Sequence, residues 1–242
     1  LYGLAAEEIP LRADFSMDVD AFCASRGMRV LANPNAPTGM VLPLSEIERI
    51  LSSDPDRVVL VDEAYVDFGA QTALPLLAKY ENLLVVRTYS KSRSMAGARL
   101  GFALGSEALI RDLKTIRFST NPYNLNRLTL LLGEAAVADD AYYMENCKKI
   151  AATRERTAAR LKELGFTLAP SQANFLFASH PAVSGETLYS ALKLRGVLVR
   201  HFKKPRISEY VRITIGTPEQ MEVLFAAIED ILKGDTACAP QR

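Results

Sequence analysis

Short apolar runs alternate with amphipathic segments over the first half of the chain. Four runs are too short for helices and are rich in apolar side chains, which predicts strands at 29–32, 58–61, 83–86 and 100–104. Between them, apolar residues recur every three or four positions at 43–53 and 106–117, which predicts helices. Ser45 stands three residues before Glu48, a spacing typical of a capping box. Strand–helix–strand order at this spacing predicts parallel strands with crossover connections, and therefore an α/β sheet.

The pattern changes after Tyr123. From 125 to 164 only Gly133 interrupts a helical pattern, which predicts one long helix or two in sequence, ending at Gly165. Further strands are predicted at 174–178, 197–200 and 210–215, and helices at 185–194 and 219–232.

These elements predict two domains. The first, at 1–138, is a mostly parallel sheet with helices on both faces, and the second, at 139–233, is a smaller α+β domain. The remaining residues, 234–242, are polar and contain proline, and we expect them to be disordered.

Composition excludes several classes of function. Lys and Arg number 29 against 28 Asp and Glu, and this balance argues against nucleic acid as a partner. The apolar runs are shorter than the roughly 18 residues that span a bilayer, so no membrane partner is expected. Cys23, Cys147 and Cys238 are odd in number and far apart, and two histidines accompany them, so neither a disulfide scaffold nor a metal site is expected. The expected location is the cytoplasm.

Polar groups follow three consecutive predicted strands. Asparagines and a Pro-Thr-Gly turn follow the first strand, an aspartate and a tyrosine follow the second, and hydroxyls with a lysine follow the third. Each piece alone is ordinary turn or surface chemistry. Because ligands of open α/β sheets bind outside the carboxyl ends of the strands, the combination indicates a binding site.

This combination suits pyridoxal phosphate. The cofactor needs an amine to hold its aldehyde as a Schiff base, a carboxylate at its ring nitrogen and donors near its ring hydroxyl. Its phosphate needs hydroxyls and a guanidinium. The residues that meet these needs are Lys91, Asp62, Tyr65 with an asparagine of 33–35, and Thr88 and Ser90 with Arg99.

Three segments, 33–39 (NPNAPTG), 62–68 (DEAYVDF) and 90–101 (SKSRSMAGARLG), resemble the fold-type I, class I/II aminotransferases. Two more, 122–126 (PYNLN) and 196–217, favour the histidinol-phosphate aminotransferase subgroup. The resemblance runs from about Ala5 to Leu232. It implies a pyridoxal-phosphate fold whose large domain lacks an N-terminal part, so we expect this chain to be partial.

The resemblance implies a role for each matching residue. Lys91 would form the Schiff base and carry the proton, Asp62 would pair with the pyridinium nitrogen, and Tyr65 would bond the ring hydroxyl. Thr88, Ser90 and Arg99 would hold the phosphate.

Three further residues are implied less directly. Arg212 would grip the carboxylate of a substrate, and Asn174 would be an active-site asparagine. The family usually carries its cofactor asparagine where this chain has Ala36, and Asn35 is the substitute we expect. Arg200, Lys203, Lys204 and Arg206 form a basic cluster that would serve a phosphorylated substrate or form a solvated loop.

The implied function is transfer of an amino group between histidinol phosphate, or an aromatic amino acid, and 2-oxoglutarate in histidine biosynthesis, by a homodimer. Two alternatives stay open at this point. One is a lyase that resembles threonine-phosphate decarboxylase, and the other is an inactive remnant that folds or dimerises without turnover.

Overall fold

The computed structural model describes residues 3–234 and contains two compact units. The first unit comprises 3–34, 41–66 and 71–139, and the second comprises 35–40, 67–70 and 140–234. The domain limits predicted from the sequence are continuous and stay a prediction. The predicted disorder at 234–242 falls, apart from Gly234, outside the described residues.

The first unit is built on a four-stranded sheet of order β1-β2-β3-β4. Its strands are β1 (Arg29–Ala32), β2 (Val59–Asp62), β3 (Leu83–Thr88) and β4 (Gly101–Gly105). The first three are parallel, as the sequence predicts, but β4 runs antiparallel to β3 and pairs Gly101 with Thr88. The sheet is therefore mostly parallel, as predicted, and the antiparallel direction of β4 follows from its connection, because 89–100 forms one short 3-10 helix (Ala96–Ala98) and no crossover α-helix.

Four helices belong to this unit, namely α1 (Val19–Ala24), α2 (Leu44–Ser53), α3 (Glu107–Thr120) and α4 (Arg127–Ala138). The capping box predicted at Ser45 is wrong, because Pro43 precedes the first helical residue and Ser45 lies inside α2. The fixed φ of proline, here −57°, suits a helix start. At α3 the cap is Ser106, whose hydroxyl accepts from the backbone N–H of Leu109.

The core of the first unit lies between α2 and the sheet. Ile47, Ile50 and Leu51 are fully buried there and pack with the apolar residues of β2 and β3. By contrast, α3 and α4 lie largely at the surface. The face predicted for α3 includes Leu113 and Ile116, which are 40% and 60% exposed.

The second unit combines an antiparallel sheet with three helices. The sheet has the order β5-β6-β8-β7, made of β5 (Thr167–Leu168), β6 (Phe175–Ser179), β7 (Arg200–His201) and β8 (Tyr210–Thr214). The helices are α5 (Asp140–Glu163), α6 (Gly185–Leu194) and α7 (Pro218–Leu232). The region at 125–164 is therefore two helices in sequence, and Gly165 ends the second with a φ of +89°.

One predicted strand of this unit is shorter than expected. Only Arg200 of the predicted run 197–200 lies in β7, and Val197–Val199 instead line a cavity of about 450 Å³ with Ile213 and Leu224. Val197 and Val199 pack against the core and are partly buried without a strand ladder. The helices described over 3–234 include none that is both long and apolar enough to cross a bilayer.

Candidate active site

The carboxyl end of β2 carries Asp62, Glu63 and Tyr65. Asp62 is half-buried, and its Oδ1 accepts from the backbone N–H of Ala64 at 2.9 Å, so the carboxylate caps the turn that follows the strand. Tyr65 comes next in this turn, immediately before a 3-10 helix (Val66–Phe68). The strand end therefore places a carboxylate and a phenol three residues apart.

The carboxyl end of β3 carries Thr88, Ser90 and Lys91. Thr88 Oγ1 donates to Ser90 Oγ at 2.9 Å and accepts from the Ser90 backbone N–H at 3.0 Å, so the two hydroxyls are held together. Lys91 is exposed, and its Nζ lies 5.3 Å from the centre of the Tyr65 ring. The parallel neighbours β2 and β3 thus bring the predicted lysine and tyrosine together at one edge of the sheet.

Arg99 lies on the connection between β3 and β4, directly before the buried Leu100. Its backbone is left-handed, with φ +53° and ψ +36°, and its Nη1 donates to the Ala96 carbonyl at 2.9 Å. A left-handed non-glycine residue is uncommon and is often found where a side chain has a function. The side chain is exposed, so its remaining N–H groups are accessible.

Asn35 belongs to the second unit, and its hydrogen bonds are made within its own loop. Its Nδ2 donates to Thr38 Oγ1 at 2.8 Å, its backbone N–H donates to Met40, and its carbonyl accepts from Gly39. Ala36, where the family usually has asparagine, is exposed. The role of Asn35 toward a cofactor therefore stays a prediction.

Asn174 and Arg212 lie at neighbouring strands of the second unit, Asn174 just before β6 and Arg212 within β8. Asn174 directly precedes β6, and its carbonyl accepts from the Ile215 backbone N–H at 2.9 Å. The Arg212 guanidinium lies over Phe175, 5.0 Å from the ring centre. Its Nε is buried and has no hydrogen-bond partner among residues 3–234. A buried donor without a partner is costly, which is consistent with a site for an acceptor group.

Lys203 of the basic cluster is engaged elsewhere. Its Nζ lies 2.9 Å from Glu186 Oε1, and this hydrogen bond lowers the pKa of Glu186 and raises the pKa of Lys203. Arg200 stands directly opposite Arg212 across the β7–β8 ladder. Residues that face each other across a ladder lie on the same face of the sheet, so Arg200 and Arg212 are neighbouring like charges, which repel each other.

Two structural contributions are missed by the sequence analysis. Glu63, next to Asp62, forms an ion pair with Arg87 at 2.8 Å, in which the Glu63 carboxylate is buried and the Arg87 side chain is partly buried. Arg154 on α5 is buried and donates from Nη1 to the carbonyls of Phe68 and Ala173, at 2.8 and 2.9 Å. These partners are far apart in the chain, and a local motif therefore cannot reveal them.

Gly39 closes the loop that carries Asn35. Its carbonyl accepts from the Gln172 backbone N–H at 2.9 Å, and its φ is +78°. A Cβ at this position would lie 2.6 Å from Ser171 Cβ and 3.1 Å from Ser171 Cα. Only glycine fits both the left-handed backbone and this close approach.

We expect Gly39→Ala to lower the free energy of unfolding by about 3 kcal/mol, from the left-handed conformation together with the clash. Gly196→Ala is the matched control, because Gly196 has a φ of +77° and open space around its Cβ position. The control should lose about 1 kcal/mol from the backbone alone. Urea denaturation measures both, and equal losses would show that the contact with Ser171 is unimportant.

Comparison with known proteins gives the class of this protein. The profile of the family "Aminotransferase class I and II" matches residues 1–228, nearly the whole chain. The chain belongs to the class I and II aminotransferase family, which confirms the resemblance found in the sequence.

Individual relatives show which members of the family this chain is similar to. The chain is 46% identical over 234 residues to "Histidinol-phosphate aminotransferase" of Brachyspira hyodysenteriae and 51% identical over 236 residues to the protein of the same name from a Marinomonas species. In both cases the match covers 96% of this chain and 66% of the relative. This chain therefore spans slightly less than two thirds of their length.

A solved structure shows the same fold. It is the histidinol-phosphate aminotransferase from Sinorhizobium meliloti in complex with pyridoxal-5'-phosphate, with a TM-score of 0.81 and 23% identity, covering 93% of this chain and 64% of that one. The predicted fold class, a fold-type I sheet with a smaller α+β domain, is confirmed.

Proposed function

We propose that this protein is a pyridoxal-phosphate-dependent aminotransferase. It would move an amino group between histidinol phosphate, or an aromatic amino acid, and 2-oxoglutarate in histidine biosynthesis. The proposal rests mainly on one observation. Lys91 and Tyr65 lie close together at the edge of the sheet where β2 ends at Asp62 and β3 ends at Thr88. The identity of 46–51% to proteins named histidinol-phosphate aminotransferase supports the choice of substrate.

The residues of the first unit fit the cofactor. Pyridoxal phosphate, when bound, supplies an aldehyde that combines with amines and a pyridinium ring that withdraws electrons from the carbon next to the nitrogen. Lys91 presents an exposed amine for that aldehyde and a base that moves the proton. Asp62 ends β2 with a carboxylate suited to a protonated ring nitrogen, and Tyr65 offers a phenol to the ring hydroxyl.

Thr88, Ser90 and Arg99 are proposed to bind the phosphate. The hydroxyls of Thr88 and Ser90 are 2.9 Å apart, so two donors converge on one place. Arg99 adds a planar cationic fork, which suits phosphate oxygens. We expect these three to hold the cofactor by its phosphate whenever the Lys91 amine is not joined to the aldehyde.

Arg212 and Asn174 are proposed to bind the substrate. The unpaired Nε of Arg212 and the facing charge of Arg200 make this part of the second unit attractive to an anion. Histidinol phosphate offers a phosphate, and glutamate and 2-oxoglutarate offer carboxylates. One guanidinium pair would therefore serve both half-reactions, in which the amino group is first taken up and then passed on.

The test is incubation with pyridoxal phosphate, reduction with borohydride and mapping of the adduct by mass spectrometry. We expect the cofactor mass on Lys91, and an adduct confined to other lysines would contradict the proposal. Addition of glutamate should convert the bound aldehyde to the amine form without release of CO₂. Release of CO₂ from phosphothreonine would instead support the decarboxylase alternative, and absence of both reactions would support the inactive remnant.

A homodimer is the proposed assembly. Apolar side chains are exposed on α3 and α4 of the first unit, among them Ile116, Phe118, Leu128 and Leu132, each more than half exposed. An apolar surface of this kind favours association, and a second copy of the chain is the partner we propose. Sedimentation equilibrium should then give twice the chain mass of 26.6 kDa, and a monomer at micromolar concentration would contradict the proposed dimer.

The cytoplasmic location stays a prediction.

A further inference from the structure

The carboxylate of Glu63 is buried between two strand ends of the first unit. Its side chain is fully inaccessible to solvent. Oε2 accepts from Arg87 Nε at 3.0 Å, from Arg87 Nη2 at 2.8 Å and from Thr72 Oγ1 at 2.8 Å, and Oε1 accepts from the Ala73 backbone N–H at 2.5 Å. Four donors therefore surround one carboxylate, and two of them come from a single guanidinium.

The ion pair lies on the strands that carry the site. Glu63 follows Asp62 directly, and Arg87 precedes Thr88 directly. The β2–β3 ladder pairs Asp62 with Val86 and continues through a bond from the Glu63 backbone N–H to the Val86 carbonyl at 2.8 Å. The two site residues and the two members of the pair are thus neighbours on the same two strands.

Strand alternation places the pair and the site on opposite faces. Successive side chains of a strand point to opposite faces, and facing residues of parallel neighbours share a face. Asp62, Val86 and Thr88 are consequently on one face of the sheet edge, while Glu63 and Arg87 are on the other. The ion pair therefore joins the ends of β2 and β3 on the face opposite to the one that carries the Asp62 carboxylate and the Thr88 hydroxyl.

We propose that Glu63 and Arg87 are positioning residues that set the distance between Asp62 and Thr88. This inference rests on the proposed function, because Asp62 would hold the cofactor ring and Thr88 its phosphate. The ring nitrogen and the phosphate belong to one small molecule and are joined through a short arm, so the spacing between the two strand ends decides whether both contacts form together.

Stability alone gives a weak reason for this arrangement. A buried ion pair loses hydration that its attraction only partly restores, and apolar residues of similar volume often stabilise a fold as well or better. What two guanidinium N–H groups on one carboxylate oxygen add is fixed geometry. The Thr72 hydroxyl also accepts from Arg87 Nη2 at 2.8 Å, so Glu63 and Thr72 together fix the orientation of the guanidinium.

The variant that tests the proposal is Glu63→Gln, which keeps the size of the side chain and removes its charge. Glu46→Gln is the matched control, because Glu46 pairs with Arg49 at the surface of the same unit. The measurements are the dissociation constant of pyridoxal phosphate, followed by fluorescence, and the pH midpoint of the bound cofactor's absorbance. Both are made at a temperature where circular dichroism shows the variants folded.

We expect Glu63→Gln to weaken cofactor binding about tenfold and to displace the pH midpoint, while Glu46→Gln stays within about twofold of the parent. The pH midpoint reports the contact of Asp62 with the ring, which a purely structural role would leave in place. A folded Glu63→Gln variant that matches the parent in both measurements overturns the inference and leaves the proposed function standing.

Arg87→Lys tests the positioning role if Glu63→Gln does not fold. Lysine keeps the positive charge and loses the fork, so a positioning role predicts the same two changes in this variant. Parent-like binding and an unchanged midpoint in folded Arg87→Lys overturn the inference. A parent protein that binds no pyridoxal phosphate overturns the proposed function itself, an outcome visible before any variant is made.

Discussion

Replacing Lys91 with alanine should abolish transamination. Under the proposed function this amine both combines with the cofactor aldehyde and moves the proton, and a positioned acid–base group alone contributes about 10²- to 10⁴-fold to a rate. We therefore expect Lys91→Ala to lower kcat for the glutamate half-reaction by about 10³-fold or more. Single-turnover absorbance of the bound cofactor measures this rate directly.

Lys79→Ala is the control for this prediction. Lys79 is an exposed lysine of the same unit, paired with Glu48 at 3.2 Å, and its loss should leave the half-reaction unchanged. Added methylamine should restore part of the activity of Lys91→Ala, since a small amine can take up the proton. A Lys91→Ala protein that transaminates at the parent's rate would refute the assigned role.

Arg154→Met should cause the largest loss of stability. Arg154 is buried, and its Nη1 donates to the carbonyls of Phe68 and Ala173. Methionine would fill most of the space and leave both buried carbonyls without this donor. Each buried group that loses its partner costs about 1–3 kcal/mol, so we expect the free energy of unfolding to fall by about 4 kcal/mol.

Arg156→Met provides the comparison on the same helix. Arg156 is exposed, and its contact is with Thr153 at 3.3 Å, so its replacement should change stability by about 0.5 kcal/mol or less. Urea denaturation of both variants gives the two values. A loss below 1 kcal/mol in Arg154→Met would mean that water or a shifted loop satisfies the two carbonyls.

The sequence predicts elements well where the determinants are local. The periodic apolar positions of α2 and the helix-ending Gly165 belong to this kind, because each depends on neighbours within one or two turns. The candidate site is predictable for a similar reason. Asp62 and Thr88 end parallel strands and Lys91 follows the second of them, and the topology of a parallel sheet brings those ends to one edge.

Long-range pairing is what the sequence does not reveal. The antiparallel direction of β4 depends on how the chain returns at 89–100, and its apolar run would suit either direction. The pairing of Glu63 with Arg87 spans 24 positions, and Arg154 reaches a carbonyl 86 positions away. Such contacts depend on the assembled fold, and the residues that flank them in the sequence do not indicate them.

The interleaving of the two units has a consequence for how the chain folds during synthesis. The segments 35–40 and 67–70 are translated well before the rest of the unit to which they belong, whose remaining residues begin at 140. Arg154 and Gln172, which bond these segments, are translated roughly a hundred residues later. The second unit therefore cannot be completed co-translationally as an independent C-terminal module, and a fragment starting at 140 would lack two of its own pieces.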